Sequence, residues 1–156
     1  MIIHTFRFIA PRKLLEAQLF NMQYRKYEEI NNVHDRLRWC RHHMGLLQKD
    51  VAKILDISRK RYTSLENGVI KHYEKEIVDK LSNLYQIPVE ELLDDYSYFL
   101  YRGQGKVLQE YRKKNHLERS ELAEMVGLRT HDITIWENEE IEISKKVWER
   151  CFKKIL

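Results

Sequence analysis

"QKDVAKILDISRKRYTSLENG", running from Gln48 to Gly68, decides the fold of this chain. Its first half carries Val51, Ala52 and Leu55 at spacings that put them on one face of a helix. Its second half carries Tyr62 and Leu65 in the same way. Between the two lie Asp56, Ile57 and Ser58. Asp is one of the few residues besides Gly that accepts left-handed backbone, so Asp56 is expected at the turn. Ser58 is a good N-cap for the second helix, and Gly68 a good left-handed stop after it. Ala52 is small enough for two helices to cross closely, and Ile57 is expected to plug the core between them. The stretch reads as two short helices joined by a tight turn.

Outward from this pair the chain continues as helix. Its 156 residues contain two prolines and five glycines, few interruptions for that length. Upstream, "VHDRLRWCRHHM" (33–44) places Val33, Leu37 and Cys40 inward and is ended by Gly45, with Asn31 and Asn32 as break and N-cap. Downstream, "EKEIVDKLSNLY" (74–85) places Ile77, Leu81 and Leu84 inward, and Pro88 opens "PVEELLDD" (88–95). Nearer the start, a helix is expected over residues 12–30, with Pro11 in its first turn and an apolar stripe of Leu15, Leu19, Met22 and Ile30. Residues 2–9 alternate weakly and read as a short strand or an irregular arm.

"TSLEN" at 63–67 returns as "TIWEN" at 134–138, 71 residues later. The same shift carries Leu37 onto Leu108, Arg41 onto Arg112, Val51 onto Leu122 and Ala52 onto Ala123. Glu66 and Asn67 land on Glu137 and Asn138. Apolar positions are kept while exposed ones change, which points to an internal repeat of a folded unit. "YSYFLYRGQG" (96–105) is then the join, and it is aromatic rather than flexible. The expected organisation is an N-terminal arm and helix over 1–31, a first domain over 32–97 and a second, divergent one over 98–156.

Residues 35–95 resemble the phage repressor/Cro-type, or XRE-type, helix-turn-helix domain. The resemblance rests on Leu37, Arg41, Gly45-Leu46, Gln48, Val51-Ala52, Ile57-Ser58, Leu65-Glu66-Asn67-Gly68 and "LSNLYQIPVEELL". Leu47 departs from it where a capping Ser or Thr is favoured, and Asp56 where Gly is. Residues 104–156 resemble the same domain less closely, with Glu139 in place of the glycine that ends the third helix. The resemblance implies an all-α fold of two tandem five-helix repressor-like domains, the second truncated, after an extra N-terminal helical segment. It also implies that the third helix enters the DNA major groove. Arg59, Lys60 and Ser64 then match base-reading positions, with Thr63 adjacent. Gln48, Arg61, Asn67 and Lys71 match phosphate contacts, whereas Arg41 and Glu66 match a structural pair.

Charge is distributed accordingly. The chain is +4 overall, with a pI near 9.0. Residues 34–72 hold nine Lys/Arg against four Asp/Glu, and residues 111–142 hold five against eight. Phosphates attract the first surface and repel the second. The second domain's third helix offers Thr130, His131, Asp132, Thr134 and Ile135, and Ile135 at an exposed position reads as a contact surface or as one stray apolar residue.

Other functions find less support in the residues. Cys40 and Cys151 fit no zinc or redox spacing and read as reduced thiols, so neither a metal nor a cofactor is expected. No phosphate loop or nucleophile–base set emerges, so an enzyme is not expected. The start is no signal peptide and no run approaches a membrane span, so a cytoplasmic location without membrane association is expected. The sequence evidences no small-molecule ligand. A sequence-specific transcription regulator, a repressor acting as a homodimer on double-stranded DNA, is the leading reading. Its rival is a protein-interaction module or antitoxin-like protein whose second unit binds protein.

Overall fold

The helix ends foreseen around Gln48–Gly68 are where the computed structural model puts them. It describes residues 11–156, and every regular element among them is helical. The elements are α1 (Pro11–Gln23), α2 (Val33–His43), α3 (Gln48–Leu55), α4 (Arg59–Glu66), α5 (Lys75–Tyr85) and α6 (Val89–Leu92), then α7 (Asp95–Tyr101), α8 (Gln104–Lys114), α9 (Arg119–Val126), α10 (Thr130–Glu137) and α11 (Lys145–Cys151). One 3-10 turn, Tyr27–Glu29, lies between α1 and α2. The fold is all-α and of the helix-turn-helix type. The chain divides into two compact units between Lys71 and His72. The expected strand or arm at 2–9 lies outside the described residues.

In the first unit, α2, α3 and α4 form the helix-turn-helix core. Leu37, Val51 and Tyr62 are each 0% exposed, and Ala52 is buried with them. Full burial of side chains of this size stabilises by roughly 1.5–3 kcal/mol each. Asp56 takes the left-handed turn (φ 57°), and the Ile57 amide donates to the Ala52 carbonyl at 3.0 Å, closing α3. The Ser58 hydroxyl accepts from the Arg61 amide and caps α4. Leu47 supplies no side-chain cap to α3, but its amide donates to the Asp50 carboxylate at 3.0 Å. A carboxylate in the first turn thus replaces the missing hydroxyl. Ile57, expected to plug the core, is half-buried.

A left-handed Asp costs about 1 kcal/mol relative to Gly. Asp56→Gly is therefore expected to stabilise the first unit by about that amount, read as a higher urea midpoint with an unchanged slope.

The N-terminal helix departs from expectation. It ends at Gln23 rather than continuing to residue 30, because the 3-10 turn at Tyr27–Glu29 intervenes. Leu15, Leu19 and Met22 are 55%, 57% and 74% exposed, so the stripe is not a core face. Among the described side chains of α1, Phe20 is the buried one instead, and Ile30 is buried just beyond the turn.

In the second unit, α8, α9 and α10 begin and end 71 residues after α2, α3 and α4. The left-handed residues Gly45, Asp56 and Gly68 are matched at that offset by His116, Gly127 and Glu139. Phe99, Leu108, Leu122, Ile133, Trp148 and Phe152 pack in its core. The segment read as a join is itself structured: 95–101 is α7, whose Phe99 belongs to this core. Ile135, expected at an exposed position, packs against the core as a half-buried side chain.

Glu139 is accommodated by an exchange of sizes. In the first unit His34 lies against Gly68, where an added Cβ would approach the imidazole to 3.0 Å. In the second unit the equivalent of His34 is Gly105, and the Glu139 carboxylate accepts from its amide at 3.1 Å. An added Cβ at Gly105 would meet the Glu137 carbonyl at 2.4 Å, so the close approach there requires glycine.

Candidate nucleic-acid interface

The surface of interest is built on α3 and α4, and one buried ion pair sets their position. The Arg41 guanidinium on α2 donates to both oxygens of Glu66 at the end of α4, with Nε–Oε2 at 2.8 Å. Its third nitrogen reaches the Leu46 carbonyl at 3.0 Å, tying down the turn into α3. Arg38, one helical turn earlier, reaches the Glu66 carboxylate at 3.4 Å and the Asn67 side-chain oxygen at 3.1 Å. The Glu66 side chain is 1% exposed. Burying a carboxylate this deeply demands full pairing, and two guanidinium groups supply it.

The side chains singled out for base reading sit at the start and along the outside of α4. Arg59 and Lys60 are exposed; Thr63 and Ser64 are half-buried; Tyr62 and Leu65 point into the core. Thr63 donates its hydroxyl proton to the Gln48 side-chain oxygen at 3.2 Å, which links α4 to the first residue of α3. That bond leaves the Gln48 amide nitrogen for other acceptors, at a helix end already suited to anions. Asn67 and Lys71 are exposed, and Arg61 is half-buried. Asn67 is held by Arg38, a residue that sequence reasoning passed over. The available signal was its spacing: residues 38 and 41 lie one turn apart on the face that meets Glu66.

His42 lies beside this face, and its environment opposes a charge on its ring. Arg41 Nη2 lies 3.0 Å from His42 Nε2. Arginine has only donors, so Nε2 accepts and the neutral ring carries its proton on Nδ1. Burial first, then the Arg41 charge, push the imidazole pKa down to about 4. The unfolded chain binds this proton near pH 6.5 and the folded chain does not. The first unit therefore keeps this stability above pH 6.5 and loses it progressively as pH falls toward 4. Expected is a wild-type advantage over His42→Gln that shrinks between pH 7 and pH 4.5 in urea titrations. A constant difference would refute it.

The second unit reproduces the frame and changes the surface. Arg112 donates to Glu137 at 2.9 Å and to the Leu117 carbonyl at 3.2 Å, the positions of Arg41, Glu66 and Leu46 shifted by 71. Where the first unit has Gln48, the second has Arg119, whose guanidinium is drawn onto Glu137 at 2.9 Å. Burial acts to raise the Glu137 pKa, but the bonds from Arg112 and Arg119 outweigh it and hold the carboxyl below its ordinary value. Where the first unit has Arg61, the second has Asp132, paired with Arg129 at 2.9 Å. Glu142 takes the place of Lys71 and lies 3.1 Å from His72.

Among the described residues, no group of three or more His, Cys, Asp or Glu is placed to hold a metal ion. Cys40 and Cys151 are both free thiols, and burial pushes Cys40 up to about 12. No described helix is long and apolar enough to cross a membrane.

A frame of this kind defines a helix-turn-helix fold. Comparison with known families agrees: residues 37–92 match the helix-turn-helix family model, of XRE type, a DNA-binding class of domain. One curated protein with a similar segment is glutamine--fructose-6-phosphate aminotransferase [isomerizing] of Methanocaldococcus jannaschii, 32% identical over 69 residues. That segment is 44% of this chain but 6% of the aminotransferase, so the likeness is to a small part of that enzyme. No solved structure matches the chain.

Proposed function

We propose that this protein is a sequence-specific DNA-binding transcription regulator, a repressor, that reads the major groove with α4. The observation that carries this is the outer side of α4. Arg59 and Lys60 are exposed at its start, beside Gln48 at the N-terminus of α3, on a frame locked by Arg41 and Glu66. Arg59, Lys60, Thr63 and Ser64 face base edges; Gln48, Arg61, Asn67 and Lys71 take phosphates. One helix of eight residues reads few base pairs, so the protein acts as a homodimer on an inverted repeat.

The second unit is a divergent copy that has kept the fold and lost most of its affinity for phosphate. Asp132 and Glu142 replace two of the phosphate-binding cations, and Arg119 is turned onto Glu137. This acidic surface also favours a second reading, in which that unit binds a protein.

Selection from a random duplex library with the full-length protein tests the proposal. An inverted repeat, with binding that weakens steeply as salt rises, is the expected result. No enrichment, together with weak binding that ignores salt, would refute it in favour of the protein-binding reading.

A further inference from the structure

The first unit contains an element that the DNA-binding reading does not use. Among the described side chains of helix α1, Phe20 is the buried one, and it anchors the helix on α2. Its ring lies under the Arg38 guanidinium (5.2 Å) and edge-on to His42 (5.4 Å). Tyr24, one turn on, donates its hydroxyl proton to Asp35 at 3.1 Å.

Ahead of that anchor, Leu14, Glu16, Ala17 and Gln18 form one wall of a cleft of about 880 Å³. The same cleft is also lined by Gln48, Lys49, Arg59 and Asn67. Three of these four are the residues assigned above to base or phosphate contact. A duplex that sets a phosphate at the start of α3 and a base edge at Arg59 must occupy this cleft. Leu14, Glu16, Ala17 and Gln18 of α1 border that same space and so stand in the duplex's way.

We infer that α1 is a cover: the arrangement seen here is a closed, DNA-free state, and duplex binding requires α1 to move away from the cleft beside α3 and α4. The inference rests on the DNA-binding reading of that face. The hold is built to be weak. The outward side of α1 leaves Leu15, Leu19 and Met22 between 55% and 74% exposed, so they contribute little to keeping it in place. Closure lowers the fraction of molecules competent to bind, and duplex affinity falls by that fraction. Anything that draws α1 away then raises occupancy of DNA without touching α4.

The test uses the full chain. Phe20→Ala removes the anchor and is expected to tighten duplex binding by about 10-fold or more at fixed salt, since the burial of one aromatic side chain is worth that much. Unchanged or weaker binding overturns the inference. Because Phe20→Ala also touches Arg38, hydrogen exchange of the unaltered protein provides an independent reading. On adding duplex, amides of residues 14–23 are expected to lose protection while those of α4 gain it. Retained or increased protection of α1 alongside gained protection of α4 overturns the cover. Arg59→Ala, made alone and with Phe20→Ala, separates the two claims. If it weakens binding in both backgrounds while Phe20→Ala has no effect of its own, the cover falls and the DNA reading stands. If it has no effect in either, both fall.

Discussion

Glu66→Ala is expected to cost the first unit about 3–5 kcal/mol, enough to unfold much of it at room temperature. The reason is what the mutation leaves behind. Arg41 has a side chain only 10% exposed and cannot turn its charge to water once Glu66 is gone. Three joints fail together: α2 to α4 through the carboxylate, α2 to the α3 turn through the Leu46 carbonyl, and Arg38 to the end of α4. Urea unfolding followed at Trp39, the tryptophan of this unit, measures the loss. Glu137→Ala provides the contrast. Of the two arginines it strands, Arg119 is 40% exposed and can swing into solvent, so a smaller cost is expected in the second unit. A loss below about 1 kcal/mol for Glu66→Ala would mean that the pair does not hold the frame, since that is the ordinary value of an exposed pair.

Arg59→Ala is expected to weaken binding to the selected duplex about 5- to 150-fold and to relax one base position in each half-site. That range corresponds to about 1–3 kcal/mol for a bidentate contact with a guanine edge. Lys71→Ala has a different expected signature: uniform weakening across sequences and a salt slope smaller by about 1. Thr130→Ala, at the matching position of α10, is expected to change nothing. Fluorescence anisotropy with the selected site and a scrambled duplex distinguishes these outcomes. Equal loss on both duplexes for Arg59→Ala would make it a phosphate contact and move base reading elsewhere on α4.

Much of the fold was legible because short-range chemistry fixes it. The boundaries of α3 and α4 followed from Ser58 as a cap, Asp56 and Gly68 as left-handed residues, and three- and four-residue apolar spacing. The role of Arg41 and Glu66 was legible from the resemblance, and the structure brings the two together. The fate of α1 was not legible. Leu15, Leu19 and Met22 have helical spacing, and spacing alone cannot say whether the face they form meets a core; Phe20, off that stripe, is the residue that does. Ile135 fails in the opposite direction. Its position matches Ser64, which the resemblance makes a base-reading residue, yet the second unit's core packs against it.

The sequence by itself determined the helices, their ends and the 71-residue spacing with which the pattern returns, because propensity, capping and left-handed turns act within a few residues. It also determined the sign of charge on each surface, which is a matter of counting. Only the tertiary structure decided how distant residues share the work. It turned Arg119 inward onto Glu137, matched Glu139 to Gly105 where the first unit matches Gly68 to His34, and laid α1 along the cleft beside Arg59. These are relations between residues 18 to 45 or so positions apart, set by which helices come to lie against one another, and no local rule reaches that far.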